Sequence, residues 1–226
     1  MTPVILESPY ARSTPEGIVK TTEYARRCVK DCLERGETAY ASHLLLTQEG
    51  ILRDGVPEER ELGISAGLAW HALASRSCVY LDEGLSSGMW RGVQHFMAAH
   101  FRPDVRFRWL DDKQPRVHAL KTVPPFFSDV GSLAKTFEIR RNDRDFLPGD
   151  VLRLLEWKGD RYSGRESFRL VTYVLRAETF PDGLREGYVA LGLLPIRPSE
   201  GADARYFQLQ HANEPSFSLC KLDVDR

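Results

Sequence analysis

The stretch 135–150, KTFEIRRNDRDFLPGD, interleaves acidic and basic side chains ahead of a Pro-Gly turn. Alternate residues of a strand share a face, so Glu138 and Arg140 are expected to point the same way, with Phe137 and Ile139 toward the core. Lysine and arginine hold phosphate groups, and a glutamate accepts hydrogen bonds from a base or acts as an acid or base when buried. The pattern predicts a polar pocket for a nucleotide; a salt-bridged strand edge facing solvent is the alternative.

Small polar residues also occupy two loops of the first half, each directly before a predicted helix. The free amides of a helix N-terminus suit a phosphate, and an aromatic ring in such a loop can stack on a base. Turn-shaping serines and a structural histidine are the alternative reading. The candidate nucleotide-binding residues are Ser8, Tyr10, Arg12, Ser13, His43, Ser86, Ser87 and Gly88.

Strand and helix signals alternate through the first half. PVILES, TAYASHLLL, SCVYLD and VRFRWL are read as strands, the second with its following loop, and helices are predicted to start at Thr14-Pro15, at Pro57 and at Ser86 or Ser87. Strands separated by helices indicate a parallel sheet with helices on both faces. We therefore expect a three-layer, Rossmann-like α/β domain over 1–111, with ligands bound where strands end.

The second half changes character after LDDKQPR, which places a linker at 112–116. Strand-like segments separated by turns predict a small β-barrel over 117–196, with one short helix in PPFFSDVGSLA. The segment 197–226 is read as a C-terminal extension that adds a hairpin through RYFQLQ and SFSLCKL.

The first-half motifs VILESPYARS, ASHLL, PEERELGISAGLAWHAL and LSSGM resemble the nucleoside 2-deoxyribosyltransferase and deoxynucleotide N-glycosidase superfamily, in a phage-borne branch of unknown function. The resemblance implies that the first loop and the Ser-Gly loop enclose a nucleoside. It also implies that a glutamate four residues beyond Gly88 attacks the anomeric carbon. That position holds Gly92, so the nucleophile is missing, and Glu61 or Asp82 is the candidate replacement. Helix-end stabilisation by Glu61 and turn formation by Asp82 are the alternatives.

In the second half, HALK, PPFF, KTFEIRRNDRDFLPGDVL, YSGRE, VTYVL and EGYVALGL resemble the ASCH branch of the PUA-like superfamily, in a small bacterial and phage family of unknown function. Members of that superfamily are small barrels; many bind RNA or modified bases, and some ASCH members are nucleoside amidohydrolases. The amidohydrolases carry threonine in place of Glu138, so the resemblance favours binding over hydrolysis, with Glu138 a third candidate catalytic residue. The implied base- or RNA-binding residues are Lys135, Glu138, Arg140, Asn142, Asp143 and Arg144.

Composition sets the outer limits. The 226 residues are 42% apolar, which supports a packed core, and the net charge of −1 excludes a uniformly basic nucleic-acid binder. The four cysteines, Cys28, Cys32, Cys78 and Cys220, are expected to be reduced core thiols. No metal, cofactor or membrane contact is expected, and the predicted location is the cytoplasm, the host's if a phage encodes the chain.

Three functions remain open. A nucleoside- or nucleotide-binding protein whose barrel contacts single-stranded RNA or a modified base is favoured, because both halves resemble base-handling folds and the expected nucleophile is absent. An enzyme of nucleotide metabolism, either a glycosidase or transferase or an amidohydrolase, is the first alternative. A non-catalytic phage adaptor for a host protein is the second. The oligomeric state is left open, including a homo-oligomer.

Overall fold

The computed structural model describes residues 1–110, 114–199, 206–211, 214 and 218–219. The chain divides into two units, Met1–Gln114 and Pro115–Arg226, called unit 1 and unit 2 below. The division falls inside the predicted linker 112–116. Both units are mixtures of helix and strand, so the chain is of the mixed α/β class.

Unit 1 alternates strands and helices, as the sequence predicts. Its strands are β1 (Thr2–Glu7), β2 (Glu37–Tyr40), β3 (Arg76–Tyr80) and β4 (Val105–Arg108). Its α-helices are α1 (Pro15–Glu34), α2 (Ser42–Leu46), α3 (Pro57–Ala69) and α4 (Ser87–Ala99), and a 3-10 turn covers His71–Leu73.

The four strands of unit 1 lie in the order β2-β1-β3-β4, and every pair is parallel. Val4 and Leu6 of β1 pack with α1, while Ile5 between them points to the other face and is also buried. Helix α4 contacts β1 and β3. A strand buried on both faces is typical of a parallel sheet in an α/β domain.

Local sequence sets the helix ends. The Thr14 side chain accepts a hydrogen bond from the amide of Gly17 at 3.1 Å and Pro15 occupies the first turn, so α1 starts as predicted. Ser86 caps α4 by accepting from the Met89 amide at 3.3 Å. The expectation of a plain loop after the second strand is wrong, because SHLLL forms helix α2. That helix has five residues and no side-chain cap, so it carries little sequence signal.

A buried ion pair joins β4 to β2 in unit 1. Arg108, 1% exposed, donates to both carboxylate oxygens of Glu37 at 2.6 and 2.8 Å, and Arg76 donates to the same carboxylate at 2.5 Å. Burial alone would raise the pKa of Glu37, but the hydrogen bonds and charge of Arg108, followed by those of Arg76, lower it to about 2. The carboxylate is therefore ionised at neutral pH.

Unit 2 is strand-rich with one short helix. Its strands are β5 (Val117–Thr122), β6 (Phe137–Arg141), β7 (Val151–Trp157), β8 (Tyr162–Arg176), β9 (Tyr188–Pro198), β10 (Phe207–Leu209) and β11 (Ser218–Leu219). Helix α5 covers Phe126–Gly131, inside the one segment predicted to be helical.

Strands β9, β8, β7 and β5 follow one another in the sheet, antiparallel except for the parallel pair of β5 and β7. Strand β6 pairs with β9. Among the described residues no backbone pairing joins β5 to β6, so closure into the predicted barrel is not shown. Side-chain hydrogen bonds reach β5 instead: Arg140 of β6 donates to the carbonyl of Lys121, and Arg144, in the turn after β6, donates to that of Ala119, both at 3.0 Å.

The core of unit 2 comes from inward-facing residues of β7, β8 and β9, together with Phe127 of α5 and Phe146. In the C-terminal extension, β10 pairs with β9 and β11 pairs with β8. The two segments expected to form a hairpin therefore each extend the sheet of unit 2. Cys220 lies outside the described residues.

Candidate functional site

A cavity of about 300 Å³ opens at the carboxyl edge of the unit 1 sheet and is called the unit 1 cavity. The loop after β1, the start of α2, one side of α3 and the first turns of α4 line it. From β1 the chain crosses to β2 on one side, and β3 lies on the other side. The cavity therefore lies where the strand order reverses, the point at which open parallel sheets bind ligands.

Most of the predicted nucleotide-binding residues meet at this cavity, although they are distant in sequence. Ser13 is exposed and lies outside the lining. Those that line it are Ser8, Tyr10, Arg12, His43, Ser86, Ser87 and Gly88.

Hydrogen bonds hold the loop after β1 in place. The Thr21 hydroxyl of α1 donates to the carbonyl of Tyr10 at 2.7 Å. Ser8 Oγ and His43 Nε2 are hydrogen-bonded at 3.0 Å, and the rings of Tyr10 and His43 lie 5.6 Å apart. Burial lowers the pKa of His43 to about 4. The imidazole is thus neutral at pH 7 and offers the site hydrogen-bonding groups without charge.

Glu7, the last residue of β1, lines the same cavity, and it was not among the predicted site residues. A Cβ atom added at Gly92 would lie 2.5 Å from Cδ of Glu7 and closer still to its Oε1. The Glu7 carboxyl therefore fills the space beside α4 that a side chain at position 92 would need. This is the helix position where the resemblance expects a catalytic carboxylate. Burial raises the pKa of Glu7 from its ordinary value of 4.5 to about 8.

His71 is the second residue that the sequence did not reveal. Its Nε2 lies 3.6 Å from Oε1 of Glu7, and its side chain is 3% exposed. Its Nδ1 has no hydrogen-bond partner among the described residues. Burial, and then the nearby His95 and His100, lower its pKa to about 4. The cavity thus brings a partly buried carboxyl close to a buried, neutral imidazole.

Two arginines at the cavity are already paired with carboxylates. Arg60 bonds to Asp54, and Arg91 donates to Glu61 at 2.6 and 3.0 Å. The hydrogen bonds from Arg91 lower the pKa of Glu61. Glu61, proposed from sequence as a replacement nucleophile, is 58% exposed and lies outside the cavity lining. Its observed contacts orient Arg91.

Asp82, the other proposed replacement, also lies outside the lining. Its carboxylate accepts from the hydroxyl of Tyr24 at 2.6 Å and from the amide of Leu110 at 3.1 Å. These bonds tie the end of β3 to α1 and to the segment after β4, which is the turn-shaping role considered as its alternative.

In unit 2 the expected orientation of β6 is wrong. Phe137 and Ile139, expected in the core, are 47% and 51% exposed, whereas Glu138 between them is 5% exposed. Lys135 donates to Glu138 at 2.8 Å, and Arg140 lies 3.3 Å from it. The acid turns inward because two cations accompany it, and burial of a charge is tolerated when it is paired.

A cavity of about 480 Å³ opens beside these charges and is called the unit 2 cavity. Lys135, Glu138 and Arg140 line it together with the exposed rings of Phe126 and Phe137. Paired charges inside and aromatic rings at the mouth can read a base edge and stack on its face.

The remaining residues predicted for this site lie next to it. Asp143 and Arg144 line an adjoining cavity of about 390 Å³, which also includes Arg140. Asn142 Oδ1 accepts from the amide of Phe146 at 3.0 Å and so shapes the turn after β6. Of the six predicted residues, Asn142 alone lines neither cavity.

The described cysteines, Cys28, Cys32 and Cys78, are free and buried. Within the described part of the chain, one group of possible metal ligands comes together, formed by Cys32, Cys78 and Glu37. Both oxygens of that carboxylate already accept hydrogen bonds from Arg108. A second cation would have to displace the guanidinium, so we assign the group to the core.

Two family models match the chain, one for each unit. "Domain of unknown function (DUF7768)" matches residues 2–106, and "Domain of unknown function (DUF3850)" matches residues 117–193. No curated protein matches the chain. The matches support a two-domain layout. Over the ranges that the structure describes, none of the helices has the length and apolar character needed to cross a bilayer.

Proposed function

We propose that unit 1 binds a nucleoside or nucleotide in its cavity. The observation that carries this proposal is that the loop after β1 and the Ser-Gly loop at the start of α4 line one cavity where the strand order reverses. These are the two loops that the resemblance to deoxyribosyltransferases expects around a nucleoside. The parallel strand order is compatible with that Rossmann-like class. A volume near 300 Å³ is at the lower end of the small-molecule range and suits a mononucleotide.

The distribution of charge orients such a ligand. Arg12 is exposed at the cavity, and the first turn of α4 adds helix amides, so a phosphate fits at the mouth. Glu7 is partly buried and His71 is buried, so the base and its sugar would lie against this less exposed part of the lining. Tyr10 offers a ring for stacking between these regions.

Isothermal titration with nucleosides and their 5′-monophosphates tests this function. Replacement Arg12→Ala should weaken the binding of monophosphates roughly tenfold, because one charge-assisted bond to the phosphate is lost. It should change the binding of nucleosides little. Arg26→Ala, at an exposed position of α1 outside the cavity lining, is the matched control. Absence of detectable binding for every ligand in the set would overturn the proposal.

For unit 2 we propose binding of a base or of single-stranded RNA at the unit 2 cavity. The paired Glu138 beside exposed Phe126 and Phe137 supports this. The hydrogen bonds to β5 from Arg140 and Arg144 are compatible with the PUA-like barrel that the sequence suggests. A charged group that is paired yet open to a cavity can exchange one partner for a ligand.

Fluorescence anisotropy of labelled single-stranded RNA measures this activity. Phe137→Ala should weaken binding roughly tenfold, since stacking on an aromatic ring is worth ~1–3 kcal/mol per base. The melting temperature should change little because the ring is half exposed. Phe180→Ala, at a ring of similar exposure outside the unit 2 cavity, is the control. Equal losses in both variants would contradict the assignment.

Cleavage of an N-glycosidic bond is the second candidate function. The contact between Glu7 and position 92 favours it, because a carboxyl lies at the place where the resemblance expects the nucleophile. Only the ionised carboxylate can attack, so this activity should increase as the pH rises through about 8. Chromatography of nucleosides and nucleotides after incubation would show released base. Product formed equally well by Glu7→Gln would exclude Glu7 from the reaction, and absence of any released base would leave binding as the function.

A further inference from the structure

Glu7 has no arginine or lysine partner within the part of the chain that the structure describes. His71 lies 3.6 Å away, His43 of α2 lines the same cavity, and His95 of α4 packs on the ring of His71. The cations of α3 and α4 that line the cavity, Arg60 and Arg91, are each bonded to a carboxylate.

Arg12, on the loop after β1, also lines the cavity, and its described side-chain hydrogen bond goes to the carbonyl of Ala11. In the described part of the chain, none of the cavity arginines is bonded to the Glu7 carboxyl. The two nearest imidazoles are neutral at pH 7, because burial lowers the pKa of each to about 4. Burial in turn raises the pKa of Glu7 to about 8. Glu7 therefore presents a carboxylic acid, with one O–H donor and one C=O acceptor side by side.

We propose that Glu7, as a neutral acid, determines which base the unit 1 cavity accepts, and that this base is adenine or cytosine. The inference rests on the proposed nucleotide-binding function. On the Watson–Crick edge both bases carry an amino donor next to a ring-nitrogen acceptor, which matches the donor and acceptor of the acid in a two-bond pair, whereas uracil and guanine present a carbonyl oxygen as the acceptor on that edge. Ring nitrogens are more basic than the carbonyl oxygens of uracil and guanine, so they accept the acidic O–H more strongly.

Gly92 is required for this placement of Glu7. The absence of a Cβ there lets the end of β1 place its carboxyl against α4 on the inner side of the cavity. Glu7 is therefore placed to contact the edge of the base, where a neutral O–H donor can distinguish one base from another.

Titration of adenosine, cytidine, uridine and guanosine at several pH values tests the inference. At pH 6 adenosine or cytidine should bind roughly tenfold or more tightly than the other two, as expected of a good two-bond pair. Between pH 7 and pH 9 the affinity of adenosine or cytidine should fall roughly tenfold as Glu7 ionises, since neither ligand changes charge there.

Glu7→Gln should bind the same ligand with a flat pH profile, because an amide keeps one donor and one acceptor without titrating. Glu7→Ala should lose the preference for amino bases. Glu23→Gln, at an exposed position of α1, should reproduce the wild-type profile. Tighter binding of uridine or guanosine at pH 6, or a pH dependence that survives in Glu7→Gln, would overturn the inference while leaving nucleotide binding in place. Absence of binding by every nucleoside and nucleotide would instead overturn the proposed function.

Discussion

The protonated state of Glu7 predicts a contribution to stability that depends on pH. The folded protein holds a proton on this carboxyl up to about pH 8, whereas the unfolded chain releases it near 4.5. The stabilisation linked to that proton is fully present below pH 4.5 and is lost as the pH rises through about 8. Replacement Glu7→Gln removes the titration but keeps a neutral side chain of nearly the same size.

The magnitude follows from the change in pKa. A tenfold change in proton affinity is worth about 1.36 kcal/mol, so a pKa of about 8 in place of 4.5 corresponds to at most ~5 kcal/mol. The side chain is 17% exposed, and solvent near the carboxyl reduces this to roughly 2–4 kcal/mol. His43 and His71 act in the opposite direction, because their lowered pKa values give stability above pH 6.5 that is lost as the pH falls through about 4.

Urea unfolding followed by tryptophan fluorescence measures the effect, with Trp109 buried in unit 1. The difference between Glu7→Gln and wild type cancels the histidine contributions. It should be near zero at about pH 5 and reach ~2–4 kcal/mol in favour of the variant at about pH 8. Glu23→Gln should show no such trend. A difference that stays constant with pH, or a variant that is less stable at pH 8, would show that Glu7 is ionised in the folded protein.

Two further predictions concern packing in unit 1. Gly92→Ala should lower the free energy of unfolding by ~1–3 kcal/mol, because the new methyl group meets the Glu7 carboxyl, and Glu7→Ala should recover most of that loss in the double variant. Gly88→Ala, where no atom lies within 4 Å of the added Cβ, is the control in urea unfolding, and additive losses would contradict the contact. Glu37→Gln should cost ~3–5 kcal/mol at pH 7, since it leaves the buried Arg108 without its counter-charge. In the wild type this stabilisation, present above pH 4.5, should be lost as the pH falls through about 2. An unchanged melting temperature in Glu37→Gln would refute the stabilising role of the ion pair.

Much of the unit 1 site could be predicted because the sheet topology alone brings its loops together. In a parallel sheet the carboxyl ends of all strands share one edge, so loops after β1 and β3 meet whatever their separation in sequence. The caps Thr14 and Ser86 fixed where the helices after those strands begin. Polar residues on these loops could therefore be placed at one cavity without knowledge of any side-chain contact.

Glu7 could not be found in this way, because a single acid at the end of a strand is usually exposed. The available signal was Gly92. An isolated glycine inside an apolar helix pattern indicates close approach by another group. Which group approaches depends on the packing of α4 against β1, and that packing is not written in either segment alone.

The orientation of β6 failed for a different reason. Alternation along a strand separates its residues into two sets but does not say which set faces inward. Hydrophobicity placed Phe137 and Ile139 inside, yet pairing with Lys135 and Arg140 makes burial of Glu138 favourable. Those partners come from the preceding loop and from the strand itself, so the preference emerges only once the strand has a neighbour.

The bridges from Arg140 and Arg144 to β5 have a consequence for how this protein meets other chains. A strand with an unpaired edge presents bare carbonyls and amides on which a foreign strand can form. Here guanidinium groups occupy the carbonyls of Lys121 and Ala119, two residues apart on the same edge. A passing peptide would have to displace two charged donors before its first backbone bond, so β5 is guarded against unwanted pairing by side chains alone.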